Sequence, residues 1–167
     1  VTNRLGFVTI NDYDEHGNII QVTDPTGAVS GFVYDENGNL LVKSNANCNC
    51  PVLYTYDDLD NRTSETDALG NTTTYTYNSL QKVQLTRDAR SKDEVRSYEP
   101  GGELEQRIDR NGRLTHVTYD ALGRAKTIGH GATAANPHAF TVQLENTWDA
   151  GNRLTQIVET ACADPIN

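Results

Sequence analysis

Acidic side chains set beside tyrosine, histidine and glycine are the residues of this sequence best suited to chemistry. They stand in Tyr13-Asp14-Glu15-His16-Gly17-Asn18, in Tyr34-Asp35-Glu36-Asn37-Gly38-Asn39 and in Tyr119-Asp120-Ala121-Leu122-Gly123-Arg124. Paired carboxylates hydrolyse glycosidic bonds when a cleft holds them about 5–9.5 Å apart. Asp12-Tyr13-Asp14-Glu15-His16-Gly17 also begins like a calcium loop. His16, His116, His130 and His138, with Cys48, Cys50 and Cys162, are the other side chains able to ligate a metal or act as nucleophiles.

Each of these chemistries lacks a partner in the sequence. An EF-hand needs Glu at the twelfth loop position, which is Thr23 here, and flanking helices. Cys48-Asn49-Cys50 has the residues for a strained bridge or half of a metal site, but a zinc site takes four ligands and no second cluster lies nearby. Three cysteines make no disulfide framework. The histidines are scattered, although His130 and His138 share one segment. No Gly-x-Ser-x-Gly, phosphate loop or His-Glu-x-x-His occurs. A catalytic pair occurs once, whereas these acids recur along the chain. The expectation is no catalytic residue, no bound cofactor and no metal ligand set. Calcium on an acidic rim, sugars stacked on tyrosines and an activity housed in residues 129–138 are the other readings.

The recurrence has a period. Tyrosines fall at 13, 34, 56, 77, 98 and 119, spaced by 21 or 22 residues. Asp14, Asp35, Asp57 and Asp120 directly follow four of them. A second mark lies between: Asp24-Pro25-Thr26-Gly27, Asp67-Ala68-Leu69-Gly70, Asp88-Ala89-Arg90-Ser91 and Asp109-Arg110-Asn111-Gly112. Both marks reduce to Asp-x-x-Gly. Asp at the first turn position accepts bonds from nearby N–H groups, and Gly at the fourth takes positive φ at little steric cost. Such a type I turn followed by a left-handed residue is a common hairpin connection.

These turns dictate the elements that carry them. First residues of turns stand at 3, 14, 24, 35, 57, 67, 78, 88, 99, 109 and 120, with the fifth turn ending in Asp60. Between them the chain alternates with period two, placing Phe32 with Tyr34, Tyr54 with Tyr56, Tyr75 with Tyr77 and Val117 with Tyr119 on one face. No long stretch has helical periodicity. The expected fold is all-β: an antiparallel meander of roughly 21-residue units, two strands each, over residues 3 to 128. Two breaks interrupt it. A turn is missing at Asn45-Ala46-Asn47-Cys48, and an insertion of about eight residues, a loop or hairpin extension, falls at 129–138 before a divergent mark at Trp148-Asp149-Ala150-Gly151-Asn152.

Tyr-Asp-x-x-Gly-Asn/Arg-Leu, alternating with Asp-x-x-Gly, resembles the YD-repeat, or Rhs-repeat, family over residues 3 to about 128. The resemblance assigns a repeat role to Tyr13, Asp14, Gly17, Asp24, Gly27, Tyr34, Asp35, Gly38, Tyr56, Asp57, Asp67, Gly70, Tyr77, Tyr98, Asp109, Gly112, Tyr119, Asp120 and Gly123. That family includes bacterial polymorphic toxins, the cocoon subunits of insecticidal Tc toxins, and teneurins. The resemblance implies a segment of a spiralling hollow β-shell that encloses a C-terminal toxin domain or forms a rigid extracellular scaffold. The alternative is a cell-surface adhesion or carbohydrate-binding module. The family's shell-closing region has no counterpart, since Asp164-Pro165-Ile166-Asn167 lacks its glycine.

Bulk properties agree with a wall. The 167 residues form one array, read as a fragment of a longer shell because they start without Met or signal peptide. Hydrophobic residues make up only 36%, and the net charge of -9 argues against nucleic acid or an anionic membrane as partner. No apolar run approaches the roughly 20 residues of a membrane span. The expected partners are the rest of the parent shell and an enclosed toxin or adhesion domain, in a secreted or cell-surface protein, bacterial by resemblance. Val1 to Ile10 and Arg153 to Thr160 are the expected free edges, open to self-association.

Overall fold

A computed structural model describes residues 6, 8–45, 48, 50–133, 135–137 and 139–162. Among these residues there is no helix; fourteen strands follow one another. They are β1 (Ile10–Tyr13), β2 (Ile19–Thr23), β3 (Val29–Tyr34), β4 (Leu40–Ser44), β5 (Val52–Tyr56), β6 (Arg62–Thr66) and β7 (Thr72–Tyr77). Then come β8 (Val83–Arg87), β9 (Asp93–Tyr98), β10 (Leu104–Ile108), β11 (Arg113–Tyr119), β12 (Ala125–Thr133), β13 (Val142–Trp148) and β14 (Leu154–Ala161). Order in the sheet is order in the chain. Every described pairing is antiparallel, so the fold is the expected all-β meander.

The chain divides into two compact units, Val1–Tyr75 with Asp88–Arg90, and Thr76–Arg87 with Ser91–Asn167. In the first, no described residue is buried. Phe32, Tyr34, Tyr54, Tyr56 and Tyr75 are half-buried on one face, while Val33 and Leu53 on the other face are exposed. The second unit holds the only buried apolar side chains among the described residues: Leu114, Val117 and Ala132. It also buries Glu94, whose carboxylate pairs with Arg96 and, at 2.6 Å, with Arg107. Pairing on both oxygens is what makes a buried carboxylate tolerable.

Every tyrosine hairpin with a described register carries a β-bulge at one place. Tyr13 faces Ile19 but Asp12 faces Gln21, which leaves Ile20 without an opposite number. Leu41, Thr63, Glu105, Lys126 and Thr155 are set aside in the same way. The hairpins at Asp24, Asp67 and Asp109 run in regular register. The two turn marks therefore share a turn but not a ladder. An extra residue bends its strand and raises the local twist.

The segment at 129–138 divides between strand and connection. Strand β12 continues through Gly129 and His130 to Thr133, paired with β11, with Gly131 bulged out at φ +90. Phe140 folds back over Gly129, where a Cβ would lie 2.6 Å from its ring, and stacks on His116 at 6.2 Å. Ala134 and His138 lie outside the described residues. So do Asn3 and the rest of Val1–Leu5, Ala46, Asn47, Asn49 and the stretch 163–167.

Positive φ occurs where the turn grammar requires it. Gly17, Gly27, Gly38, Gly70, Gly102, Gly112 and Gly123 lie between +73 and +93, and Asp60, Gln81 and Ser91 take the same place at +57 to +61. In the last copy the left-handed residue is Asn152 at +67 rather than Gly151. Space is not the constraint, because a Cβ on Gly70 or Gly112 would meet nothing within 4 Å. Alanine there should cost only conformational strain, about 1 kcal/mol. Gly70→Ala and Gly112→Ala should each lower the melting temperature by about 2–4 °C. An unchanged melting curve for both would remove the left-handed turn from the account.

Candidate functional site

The repeat residues form two hydrogen-bonding systems, one inside each turn and one between successive repeats. In the turn, Gly17 N–H donates to the Asp14 carbonyl and Asp14 N–H to the Asn18 carbonyl. The Asp14 carboxylate accepts from the N–H groups of His16 at 3.0 Å and Asn18 at 2.8 Å, and from the Asn18 amide at 3.0 Å. Asp35 repeats this with Asn37 and Asn39, Asp57 with Leu59 and Asn61, and Asp67 with Leu69 and Asn71. Asp24 takes Thr26 and Ala28, and Asp109 takes Asn111 and Arg113. In the last copies arginine replaces asparagine: Arg124 Nε reaches Asp120 at 2.7 Å and Arg153 Nε reaches Asp149 at 2.8 Å. Asn78 holds its turn through Leu80 and Lys82.

These bonds keep the carboxyls charged. The Asn18 side chain leads in holding Asp14 below the usual carboxylate range, as the Asn71 side chain does for Asp67 and the Arg124 side chain for Asp120. For Asp57, Asp109 and Asp149 the leading cause is the backbone N–H four residues on. Partial burial pushes Asp35 upward and is outweighed by the Asn39 and Asn37 bonds. An acid–base pair needs one carboxyl pushed up and another left ionised. Here Asp14, Asp24, Asp35, Asp57, Asp67, Asp109, Asp120 and Asp149 all move down together.

The second system runs through the tyrosine hydroxyls. Tyr34 donates to the Ile19 carbonyl at 3.0 Å, Tyr56 to Leu40 at 3.0 Å, Tyr98 to Val83 at 2.8 Å and Tyr119 to Leu104 at 2.9 Å. Each acceptor is the first residue of the strand after the preceding tyrosine turn. The bulge explains the arrangement. Described pairing of β2 with β3 stops at Gln21, of β4 with β5 at Val42, and of β10 with β11 at Gln106. The carbonyl two residues earlier lies beyond the ladder and takes the hydroxyl instead. Burial raises the phenols of Tyr56 and Tyr119 above their ordinary value, which keeps them protonated donors. Trp148 occupies the equivalent place at the end of β13, and its Nε1–H donates to the Ala125 carbonyl at 3.0 Å. Tyr77 also has a partner. Tyr13, 56% exposed, instead accepts from the Asn11 amide.

Cations cover several aromatic faces. Arg62 lies over Tyr54 at 5.6 Å and over Tyr75 at 5.1 Å, Lys82 over Tyr98, and Arg124 over Trp148. Cys48 and Cys50 are joined by a disulfide, and Cys48 N–H donates to the Asn45 carbonyl at 3.4 Å where the Asp-x-x-Gly turn is missing. His130 lies on β12, its Nδ1 bonded to the Thr115 hydroxyl, and no group of three or more metal-ligating side chains gathers among the described residues. Among those residues no helix is long and apolar enough to cross a membrane. The residue four places after the Asp stood in the sequence pattern as Asn or Arg, but its side-chain bond to the turn carboxylate was not read from it. Its signal was the recurrent Asn or Arg after the left-handed position.

Turns keyed by aspartate, and strands tied forward by an aromatic donor, define a repeat-built antiparallel β-meander. Residues 13–47 and 54–92 match the RHS Repeat family, and those two segments carry RHS repeats. No curated protein matches it. Among solved structures, "Crystal Structure of TcdB2-TccC3-Cdc42" is similar with a TM-score of 0.76 at 17% identity, over 94% of this chain. The Photorhabdus luminescens Tc holotoxin pore carrying the mutation TccC3-D651A gives a TM-score of 0.73 at 18% identity over 93%. "Crystal Structure of TcdB2-TccC3" gives 0.74 at 18% over 94%. At these identities the likeness establishes the fold. The chain spans 9% of each matched chain.

The two bonding systems make separate predictions. Tyr56→Phe and Tyr119→Phe should each destabilise by about 0.5–1.5 kcal/mol, because a half-buried carbonyl loses its donor. Tyr13→Phe should change stability by much less, and equal losses at all three sites in chemical denaturation would show that the ring alone matters. The turn carboxyls have folded pKa values depressed below the ordinary aspartate value of 3.8. Their contribution is therefore full above that value and is lost as pH falls through the lower folded values. Melting temperature should drop steeply below about pH 4, and less steeply in Asp67→Asn, which keeps an acceptor without the charge.

Proposed function

We propose that this chain is a non-catalytic wall segment of a larger RHS-repeat β-shell that encloses a polypeptide cargo, a toxin domain, in a secreted or cell-surface bacterial protein. The observation that carries the reading is the hydroxyl-to-carbonyl bond between repeats. At five places a repeat completes the hydrogen bonding of the one before it, which is how a wall is extended and not how a closed core is made. The fold likeness to TcdB2-TccC3 structures supports the same reading. So do the eight turn aspartates whose carboxyls are depressed together. The rings of Tyr54 and Tyr75 have Arg62 over them, which covers faces on which a sugar would stack. That weighs against glycan binding.

A wall segment has pairing edges. β1 and β14 end the strand order, and every residue of β14 is exposed, including Leu154, Ile157 and Val158. β14 carries neither Lys nor Pro, which commonly blunt edges. The 167-residue chain should therefore associate edge to edge as concentration rises in sedimentation velocity. A monomer at every concentration, with slow amide exchange in both β1 and β14, would mean that the fold closes itself and is no wall.

A further inference from the structure

Within the first unit, a cleft of about 370 Å³ lies between the tyrosine turn at Asp14 and the next one at Asp35. It is lined by the apolar and aromatic Ile20, Phe32, Val33 and Tyr34 together with the polar Asp14, His16, Asp35 and Glu36. At two other places in the chain the gap between successive tyrosine-type turns is closed by a side-chain hydrogen bond. Between the turns at Asp35 and Asp57, the Asn37 and Asn39 amides donate to Asp60 at 2.9 and 2.6 Å. Between those at Asp120 and Asp149, Arg124 donates to Asn152 at 2.9 Å while its guanidinium lies over Trp148. In both, the acceptor is a non-glycine residue at the left-handed position. The corresponding residue of the Asp35 turn is Gly38, which offers no acceptor, and Asn18 turns back to Asp14. Among the described residues no side-chain hydrogen bond joins the two turns, and Glu36 has no bonded partner.

The chain itself shows which side chains suit such a gap. Four residues after the first turn residue, Arg124 covers Trp148 and Lys82 covers Tyr98. The same position is Asn18 in the first tyrosine turn, and among the described residues no arginine or lysine lies over the ring of Tyr34, although the His16 imidazole also lines the cleft. We propose that this cleft binds an arginine or lysine side chain of a partner polypeptide, its alkyl stem on Ile20 and Phe32 and its charge between Asp35, Glu36 and Asp14. Aromatic rings plus carboxylates are the chemistry that recognises an organic cation. A carboxylate already bound by turn N–H groups keeps lone-pair positions for a further donor. The net charge of -9 draws a basic partner from a distance.

Titrating the isotope-labelled 167-residue chain with acetyl-arginine methylamide tests this. The expected result is saturable shifts confined to Phe32, Tyr34 and their cleft neighbours, with none from acetyl-norleucine methylamide. Asp35→Asn retains a turn acceptor, as Asn78 does, and should bind about tenfold more weakly. Glu36→Gln checks the same charge effect at a position outside the turn bonding. Gly38→Asn should close the cleft onto Asn18 and abolish the shifts. Equal binding of the norleucine compound, or undiminished binding by Gly38→Asn, would overturn the assignment. Guanidinium chloride binding as tightly as the arginine compound would overturn the polypeptide source.

Discussion

The carbonyls of Ile19, Leu40, Val83, Leu104 and Ala125, each at the start of a strand that follows a tyrosine-type turn, lie beyond the described backbone pairing with the next strand. A bulge one residue later shifts the register, so pairing with the following strand ends before it reaches the carbonyl. A half-buried acceptor left unbonded costs about as much as a lost hydrogen bond. The aromatic residue of the next repeat supplies the donor, as a phenol four times in the described bonds and as an indole once. Indole and phenol share little beyond a ring and one N–H or O–H at its far end. That common feature identifies the constraint as the donor's position and not the residue's name.

This dependence explains how the chain stands without much of a core. Only Leu114, Val117 and Ala132 are buried apolar side chains among the described residues, too few to hold the chain by apolar burial alone. Order comes instead from short-range terms repeated many times. Turn carboxylates bond two and four residues ahead, and phenols bond carbonyls 15 or 16 residues back. Stability in such an array is a sum over repeats and their nearest neighbours. A single lost bond should loosen one repeat interface and leave the others in place.

Turn positions were legible in the sequence because their chemistry is side-chain chemistry. Asp14, Asp35 and Asp120 announce an acceptor, and Gly17, Gly38 and Gly123 announce positive φ. The tyrosine face was legible from period-two alternation. The tyrosine's acceptor was not, since every residue has a backbone carbonyl and none advertises it. The bulge left no trace either. Ile20, Leu41, Thr63, Glu105, Lys126 and Thr155 share nothing as residue types, because the constraint falls on the backbone. Trp148 was read as a divergent mark, and only its Nε1 bond shows it filling the tyrosine's place.

The substitutions within the repeat also bear on its turn acids. Asn78 accepts from Leu80 and Lys82 just as an aspartate would, with an amide oxygen and no charge. At Glu99 the turn closes through its backbone, Gly102 N–H to the Glu99 carbonyl at 2.8 Å, with Pro100 pre-setting φ at the next position. A proton-transferring carboxylate tolerates neither change, since an amide cannot titrate and an added methylene displaces the oxygen. A turn acceptor tolerates both, because the backbone bonds supply what the side chain no longer does. The exchange of Asp for Asn and Glu at matched places in one chain is therefore what a structural acceptor allows.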